Sequence, residues 1–217
     1  MKGERIPTHI LAVRMIPHAD KGLMEKLGVP KELNSLGLFT TDSDDVSYAA
    51  LDEATKKASV QVVYAKSMYA GAPHASTRLA GEFIGILAGP DPEDVRSGIE
   101  AARRYIDKDA AFYSACDDNS VIYFAQCISR TGFYLSKQAG VEPGCAMAYL
   151  IAPPLEATYG LDAALKAAEV EMKVFYGPPT ETNFAGGLLV GEQAACRAAC
   201  EAFADKVCDI AQNPLSY

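Results

Sequence analysis

The stretch LDEATKKASV at residues 51–60 decides the fold, because a second version of it, LDAALKAAEV, occupies residues 161–170. The two share the leucine, aspartate, alanine, lysine, alanine and valine at positions one, two, four, six, eight and ten. Each is followed by a run typical of a strand (VQVVYA or VEMKVFY), then by a polar loop and a second apolar run, AGEFIGILAG or FAGGLLVG. Because two copies are too few for a solenoid, which needs about three repeats, we interpret the chain as two tandem domains.

We predict that the domains divide at residue 110, giving 1–110 and 111–217. Apolar patterning in the first half predicts alternating strands and helices. The predicted strands are 9–16, 36–41, 60–65 and 82–88, and the predicted helices are 20–28, 50–58 and a third that begins after Asp91. That third helix has the strongest start signal, since Asp91 can cap it and Pro92 suits its first position. The predicted fold class is α/β (α+β), present as a tandem duplication of one domain.

Composition excludes several classes of protein. Hydrophobic residues make up 49% of the 217 residues and charged residues 22%, which excludes a disordered chain. The formal net charge of -8 argues against nucleic-acid binding, which needs clustered lysine and arginine. No apolar run is long enough to predict a membrane span, and the first residues do not resemble a signal peptide. We therefore expect a cytoplasmic protein with six reduced cysteines.

The chain shows no motif typical of a catalytic or metal site. CRAAC at 196–200 could bind a metal or act in redox chemistry, but its spacing also fits a buried helix face. The positions of that face are Cys196, Cys200, Phe203, Val207 and Ile210. We favour core packing, in which cysteine behaves as a small apolar residue. Since no nucleophile–base pair or phosphate loop is recognisable either, an enzyme is the weaker hypothesis.

Acidic residues form the most concentrated polar feature. The stretch TTDSDDVSY (40–48) contains Asp42, Asp44 and Asp45, and two readings are open: solvated carboxylates before a helix beginning near 48, or a site for a cation. Glu82 favours the second, because it stands in an otherwise apolar run where an unpaired charge is costly. We take Gly186 or Gly187 as its counterpart in the second copy, so the fold itself does not require the acid.

The loops 66–78 and 177–183 occupy equivalent places in the two copies. Their glycine, proline and polar residues indicate turns. They are either simple connections or polar segments that line an opening and move, since function concentrates in loops.

Four longer stretches carry a resemblance to a known family. They are SLGLFTTDSDDVSYAALDEATKKASVQVVYAKSMYAG, SRTGFYLS, AYLIAPPLEATYGLDAA and AACRAACEAFADKVCDIAQNPL. Together they resemble the ethanolamine-utilisation shell proteins of the L type, and the similarity covers nearly the whole chain. These are shell proteins of bacterial microcompartments, built from two circularly permuted shell domains.

The resemblance implies a structural, non-enzymatic role in a microcompartment shell in the cytoplasm. Three chains would form a pseudohexagonal trimer that joins other copies and other shell proteins edge to edge, and heterologous contacts of this kind can tile a plane. By the family's pattern Lys56 and Lys166 contribute the edge contacts. The two loops would line and gate a pore for ethanolamine and larger cofactors, through Tyr69, Gly71, His74, Thr77, Pro178 and Thr180.

The resemblance also implies a binding pocket for ethanolamine that regulates the pore. Its acidic members would be Asp44, Asp45 and Glu82, with Phe112, Thr182, Asn183 and Phe184 completing it. The implied pathway uses a cobalamin-dependent lyase, but no residue pattern here predicts a cobalamin or metal site. Two alternatives stay open: a duplicated α/β sensor of small amines that does not tile, and an enzyme on the same scaffold.

Overall fold

The computed structural model describes residues 1–68 and 79–216. The elements of the first half are β1 (Arg5–Ile6), β2 (Ile10–Ile16), α1 (Lys21–Lys26), β3 (Ser35–Thr41), α2 (Asp44–Lys57), β4 (Gln61–Ser67), β5 (Phe83–Gly89) and α3 (Pro92–Lys108). Those of the second half are β6 (Phe112–Ser114), β7 (Ile122–Ile128), α4 (Phe133–Ala139), β8 (Ala146–Ala152), α5 (Pro154–Ala167), β9 (Val170–Tyr176), β10 (Ala185–Gly191) and α6 (Gln193–Gln212).

These elements group into two compact units. The first-half unit contains Thr8–Ala110 together with the short segment Gly132–Leu135. The second-half unit contains Met1–Pro7, Ala111–Thr131 and the chain from Ser136 onward. Residues 1–7 belong to the second-half unit because β1 pairs with β6. The predicted division into shell domains at residue 110 stays a prediction.

The first-half unit is an antiparallel sheet of order β2-β3-β5-β4, with α2 and α3 packed against it. Its strands lie where the apolar runs predict them, within two residues. The predicted start of the second helix was wrong, since α2 begins at Asp44 rather than near residue 48. Asp44 and Asp45 therefore form the first turn of the helix, where a negative charge meets the positive end of the helix dipole.

Helix α3 confirms the capping prediction. One carboxylate oxygen of Asp91 accepts the backbone N–H groups of Glu93 and Asp94, each at 2.9 Å, and Pro92 begins the helix. The side chains of Val95, Ile99, Ala102 and Ile106 form the buried stripe of this helix. Local sequence signals are sufficient here because cap and stripe both act within a few turns.

The second-half unit repeats the same architecture. Strands β7-β8-β10-β9 stand in the same order as β2-β3-β5-β4, and β6 and β1 extend the sheet to six strands. The tandem α/β fold predicted from the repeat is confirmed. Helix α6 buries Cys196, Cys200, Phe203 and Val207, so the CRAAC motif packs in the core as predicted, whereas Ile210 of the predicted face is only half-buried. All six cysteines are free thiols.

The side chain of Asp52 is fully buried within the first-half unit, although it belongs to the charged motif that opens the repeat. Its carboxylate accepts the N–H groups of Gly132 at 2.7 Å and Leu135 at 2.9 Å, and the Lys56 ammonium lies 3.6 Å away. Thr55 Oγ1 accepts the neighbouring N–H of Phe133 at 3.0 Å. Burial raises the pKa of Asp52, and the two N–H donors and the lysine partly offset that rise. The first-half unit therefore holds residues 132–135 through one buried carboxylate.

Asp52→Ala is expected to lower the free energy of unfolding by about 3 kcal/mol, because it leaves the buried N–H groups of Gly132 and Leu135 without their acceptor. Urea denaturation at a fixed protein concentration measures the loss. Asp107→Ala, at an exposed position of α3, should change it by less than about 0.5 kcal/mol. Equal effects of the two variants would contradict the assigned role.

Candidate functional site: an acidic cluster beside β3 and β5

The acidic residues singled out from the sequence come together in the first-half unit. Strand β3 pairs with β5 so that Thr41 is opposite Phe83, which puts Asp42 and Glu82 at the same end of the ladder. The Glu82 N–H donates to the Thr41 carbonyl at 2.8 Å, and α2 begins just beyond with Asp44 and Asp45. We call Asp42, Asp44, Asp45 and Glu82 the acidic cluster.

Gly81 makes this approach of Glu82 to β3 feasible. Its backbone is left-handed, with φ +62°. A Cβ atom there would lie 2.1 Å from the Thr41 carbonyl oxygen and 2.6 Å from Leu11 Cδ1. Because both the conformation and the space exclude a side chain, glycine is required immediately before the acid.

Glu82 belongs to the acidic cluster and has a raised pKa. It is half-buried just before β5, rather than within the strand as predicted. Burial, with the nearby carboxylates of Asp44 and then Asp42, raises the pKa of Glu82 from 4.5 to about 7. A half-buried carboxyl beside other carboxylates is an arrangement that favours a cationic ligand.

The aspartates near Glu82 make different hydrogen-bond contacts. One oxygen of Asp42 accepts the His9 backbone N–H, and the other lies 2.7 Å from His9 Nδ1. Asp44 and Asp45 are both buried, and an Asp44 oxygen accepts the Asp45 N–H at 2.9 Å. The carboxylates of Asp42 and Asp44 are thus held by local contacts.

Tyr48 stands on α2 one turn beyond Asp44. Its hydroxyl is 2.8 Å from Ser67 Oγ, at the end of β4. Burial raises the pKa of Tyr48 to about 12 despite the Ser67 hydrogen bond, and Asp44 and Asp45 add to the rise. Its hydroxyl therefore stays protonated at neutral pH and available as a hydrogen-bond partner.

The remaining residues of the predicted pocket belong to the second-half unit. The rings of Phe112 and Phe184 pack with centroids 5.7 Å apart. Thr182 and Asn183 lie in the turn before Phe184, where Asn183 adopts a left-handed φ of +65°. The acidic and aromatic groups of the predicted pocket are therefore divided between the two units, and their joint role stays a prediction.

The structure corrects the counterpart assigned to Glu82. Glu82 directly precedes β5, and the residue that directly precedes β10 is Phe184, not Gly186 or Gly187. Both glycines lie inside β10, where Gly186 is opposite Ile151 on β8. An acid in one copy is therefore matched by an aromatic residue in the other. The sequence alignment missed this because the loops before β5 and β10 differ in length.

The predicted pore residues are partly described. Thr180 anchors the turn before β10, since its N–H donates to the Phe184 carbonyl at 3.1 Å and its hydroxyl accepts the Phe184 N–H. Pro178 is exposed. Tyr69, Gly71, His74 and Thr77 lie outside the described residues.

The two predicted edge lysines differ in exposure. Lys56 has a side chain 23% exposed and contacts Glu53 at 2.5 Å as well as Asp52. Lys166 is 74% exposed and donates to Asp162 at 2.6 Å. Lys166 is therefore the more accessible to a partner, and the edge role of both stays a prediction.

Sequence reasoning missed His9 and Tyr48 as neighbours of the acids. His9 precedes β2 and reaches Asp42 through strand pairing, whose register the sequence did not reveal. Tyr48 could have been found from its helical spacing to Asp44 and Asp45, had the start of α2 been predicted correctly. Among residues 1–68 and 79–216, no group of three metal-ligating side chains is suitable for an ion.

Comparison with known proteins identifies the family. The BMC domain family matches residues 35–121. The microcompartment shell protein EutL of Clostridium perfringens is 59% identical over 217 residues, covering all of both chains. The chain belongs to the EutL family of bacterial microcompartment shell proteins.

Solved structures agree with that assignment. The EutL crystal structure from Leptotrichia buccalis is 60% identical and superposes with a TM-score of 0.97 over 100% of both chains. A structure described as the trimeric shell protein PduB superposes with a TM-score of 0.74 over 94% of this chain and 89% of that one. At 20% identity this second likeness shows the fold alone.

Membership of the EutL family confirms the predicted shell-protein role and the location in a microcompartment shell. Within the part of the chain that the structure describes, no helix combines the length and apolarity needed to cross a bilayer.

The raised pKa of Glu82 predicts a pH dependence of stability. Because the folded state holds this proton up to about pH 7 and the unfolded state releases it near 4.5, the free energy of unfolding should fall as pH rises through that interval. Glu82→Gln should reduce this fall, whereas Glu171→Gln, at an exposed site of β9, should leave it unchanged. Denaturation at pH values across the interval measures the slope, and equal slopes for Glu82→Gln and wild type would refute the assignment.

Proposed function

We propose that this EutL-family chain is a shell tile that passes ethanolamine under control of the acidic cluster. Three copies form a pseudohexagonal trimer, because two similar units per chain supply six similar edges. The repeated strand order β2-β3-β5-β4 and β7-β8-β10-β9 supports this arrangement, as does the trimeric state of the similarly folded PduB. The role is structural and selective, not catalytic.

The observation that carries the ligand proposal is the half-buried Glu82 among carboxylates. An ammonium group within hydrogen-bonding distance would offset the burial and the carboxylate repulsion that together raise the pKa of Glu82. Ethanolamine supplies an ammonium for the acids and a hydroxyl for a neutral partner such as Tyr48. Phe112, Thr182, Asn183 and Phe184 belong to the second-half unit, and their part in binding ethanolamine stays a prediction.

Control of the pore is proposed to follow from where the cluster stands along the chain. The Glu82 carbonyl accepts the Met68 N–H at 2.7 Å, and Thr40 Oγ1 donates to the Leu79 carbonyl at 2.8 Å. Both ends of the predicted pore segment are thus fixed beside the acidic cluster. A ligand shifts a conformational equilibrium only by its differential affinity for the two states, and bound ethanolamine is proposed to favour the closed one.

Ethanolamine affinity should depend on the charge of Glu82. At pH 8, Glu82→Gln is expected to weaken binding at least about tenfold, because a hydrogen bond to a charged group contributes about 1.5–3 kcal/mol. Wild-type affinity should also decline as pH falls below about 7, where Glu82 takes up a proton. Isothermal titration calorimetry measures both effects.

Two controls isolate the charge in this experiment. Ethylene glycol, which lacks the ammonium, should not bind measurably, and Glu171→Gln should bind ethanolamine as wild type does. Unchanged affinity in Glu82→Gln would remove the acidic cluster as the site.

Tiling should depend on Lys166 because its ammonium is exposed at the end of α5. Lys166→Glu is expected to abolish the sheets of wild-type protein in electron micrographs while leaving the trimer mass in solution unchanged. The matched charge reversal Arg103→Glu, at an exposed site of α3, should leave the sheets intact. Sheets that persist in Lys166→Glu would refute the edge role.

A further inference from the structure

Helices α2 and α5 contain the two copies of the repeated motif. Equivalent faces of the two helices differ in burial. On α2 this face contains Asp45, Ala49, Asp52 and Thr55, all of which are buried. The equivalent face of α5, which we call the α5 outer face, contains Leu155, Tyr159, Asp162 and Leu165. Its two outermost apolar side chains are 65% exposed at Leu155 and 52% exposed at Tyr159. A face that is covered in one copy is therefore open in the other, although it is more apolar there.

The cover on the α2 face includes the segment Gly132–Leu135, at the start of α4. Asp52 and Thr55 accept its N–H groups, and the Tyr134 ring stacks on Tyr48 with centroids 6.1 Å apart. Leu135 is completely buried. The structure thus shows what kind of segment this helical face binds.

The first copy contains the counterpart of that segment at the start of α1. Since β2-α1-β3 repeats as β7-α4-β8, residues 20–23 correspond to residues 132–135. Leu23, the counterpart of the buried Leu135, is 43% exposed. The chain therefore has an open helical face and, separately, an open copy of the segment that such a face covers.

We infer that the α5 outer face of one copy binds residues 20–23 of a second copy of this chain. The inference rests on the proposed trimer and specifies its contact. Each copy offers both surfaces, so the contact is head-to-tail and closes into a ring when three copies join. In that ring Leu23 becomes buried as Leu135 is, and the exposed leucines of α5 are covered.

The intermolecular contact differs chemically from the contact within the first-half unit. Asp20 stands in place of Gly132, where a Cβ atom would lie only 2.4 Å from Thr55 Oγ1. Leu165 replaces Thr55, so the hydroxyl acceptor is absent on α5. The contact between copies therefore lacks that hydroxyl acceptor and must accommodate larger side chains at residues 20 and 165. By the equivalence of Thr55 with Leu165 and Phe133 with Lys21, residue 165 faces residue 21 of the next copy.

A charge swap tests this pairing. Leu165→Lys places a like charge opposite Lys21 and should weaken the trimer at least about tenfold in sedimentation velocity. Adding Lys21→Glu to that variant should restore association, because the two new charges then attract. Leu215→Lys, at an exposed position near the chain end, should associate as wild type does. Circular dichroism confirms that each variant is folded.

Photo-crosslinking gives a readout independent of these variants' stability. With Leu165 replaced by p-benzoylphenylalanine, a mixture of isotope-labelled and unlabelled protein should cross-link between copies, at a peptide containing Lys21 and Leu23. The same replacement at Leu215 should not yield that peptide.

Each outcome decides a separate point. Wild type that stays a single chain overturns the proposed trimer itself. A trimer unaffected by Leu165→Lys, or a Leu165→Lys variant not rescued by Lys21→Glu, overturns this contact and leaves the trimer standing. Cross-links to another segment of the chain do the same.

Discussion

Antiparallel pairing of β3 with β5 is the constraint on which the candidate site depends. The register that puts Thr41 opposite Phe83 also puts the chain after β3 beside the chain before β5. Carboxylates that are distant in sequence are forced together there, and Gly81 permits the close approach. This register contributes to the raised pKa of Glu82, because it half-buries the side chain and brings it near the carboxylates of Asp44 and Asp42.

Duplication supplies the architecture, and divergence between the copies supplies the specialised features. Where the first copy has Glu82 before its strand, the second has Phe184. Where α2 buries Asp52, α5 exposes Asp162. The same fold therefore accommodates either residue at these equivalent points.

Features set by short-range interactions were predictable from the sequence, whereas features set by long-range contacts were not. The start of α3 and the buried stripe of α6 were predicted correctly, since capping and helical periodicity act over a few residues. The start of α2 was predicted too late, because Asp44 and Asp45 resemble a solvated loop until the burial of their helix is known. The counterpart of Glu82 was misassigned because unequal loops shift the alignment without changing the strands. His9 was not predicted as a partner of Asp42, because the sequence does not reveal the register between β2 and β3 that brings the two residues together.

By itself, the sequence determined that the chain is a duplicated α/β protein, which apolar runs were strands and that the cysteine-bearing face of α6 packs in the core. The sequence also indicated the protein family, because the matching stretches are long enough to be specific. Tertiary structure alone decided that Asp42 and Glu82 are neighbours, that Asp52 is buried against residues 132–135, and that the same face of α5 is open. The physical reason is that periodicity and capping are local, whereas register and burial depend on which distant segment of the chain covers a residue.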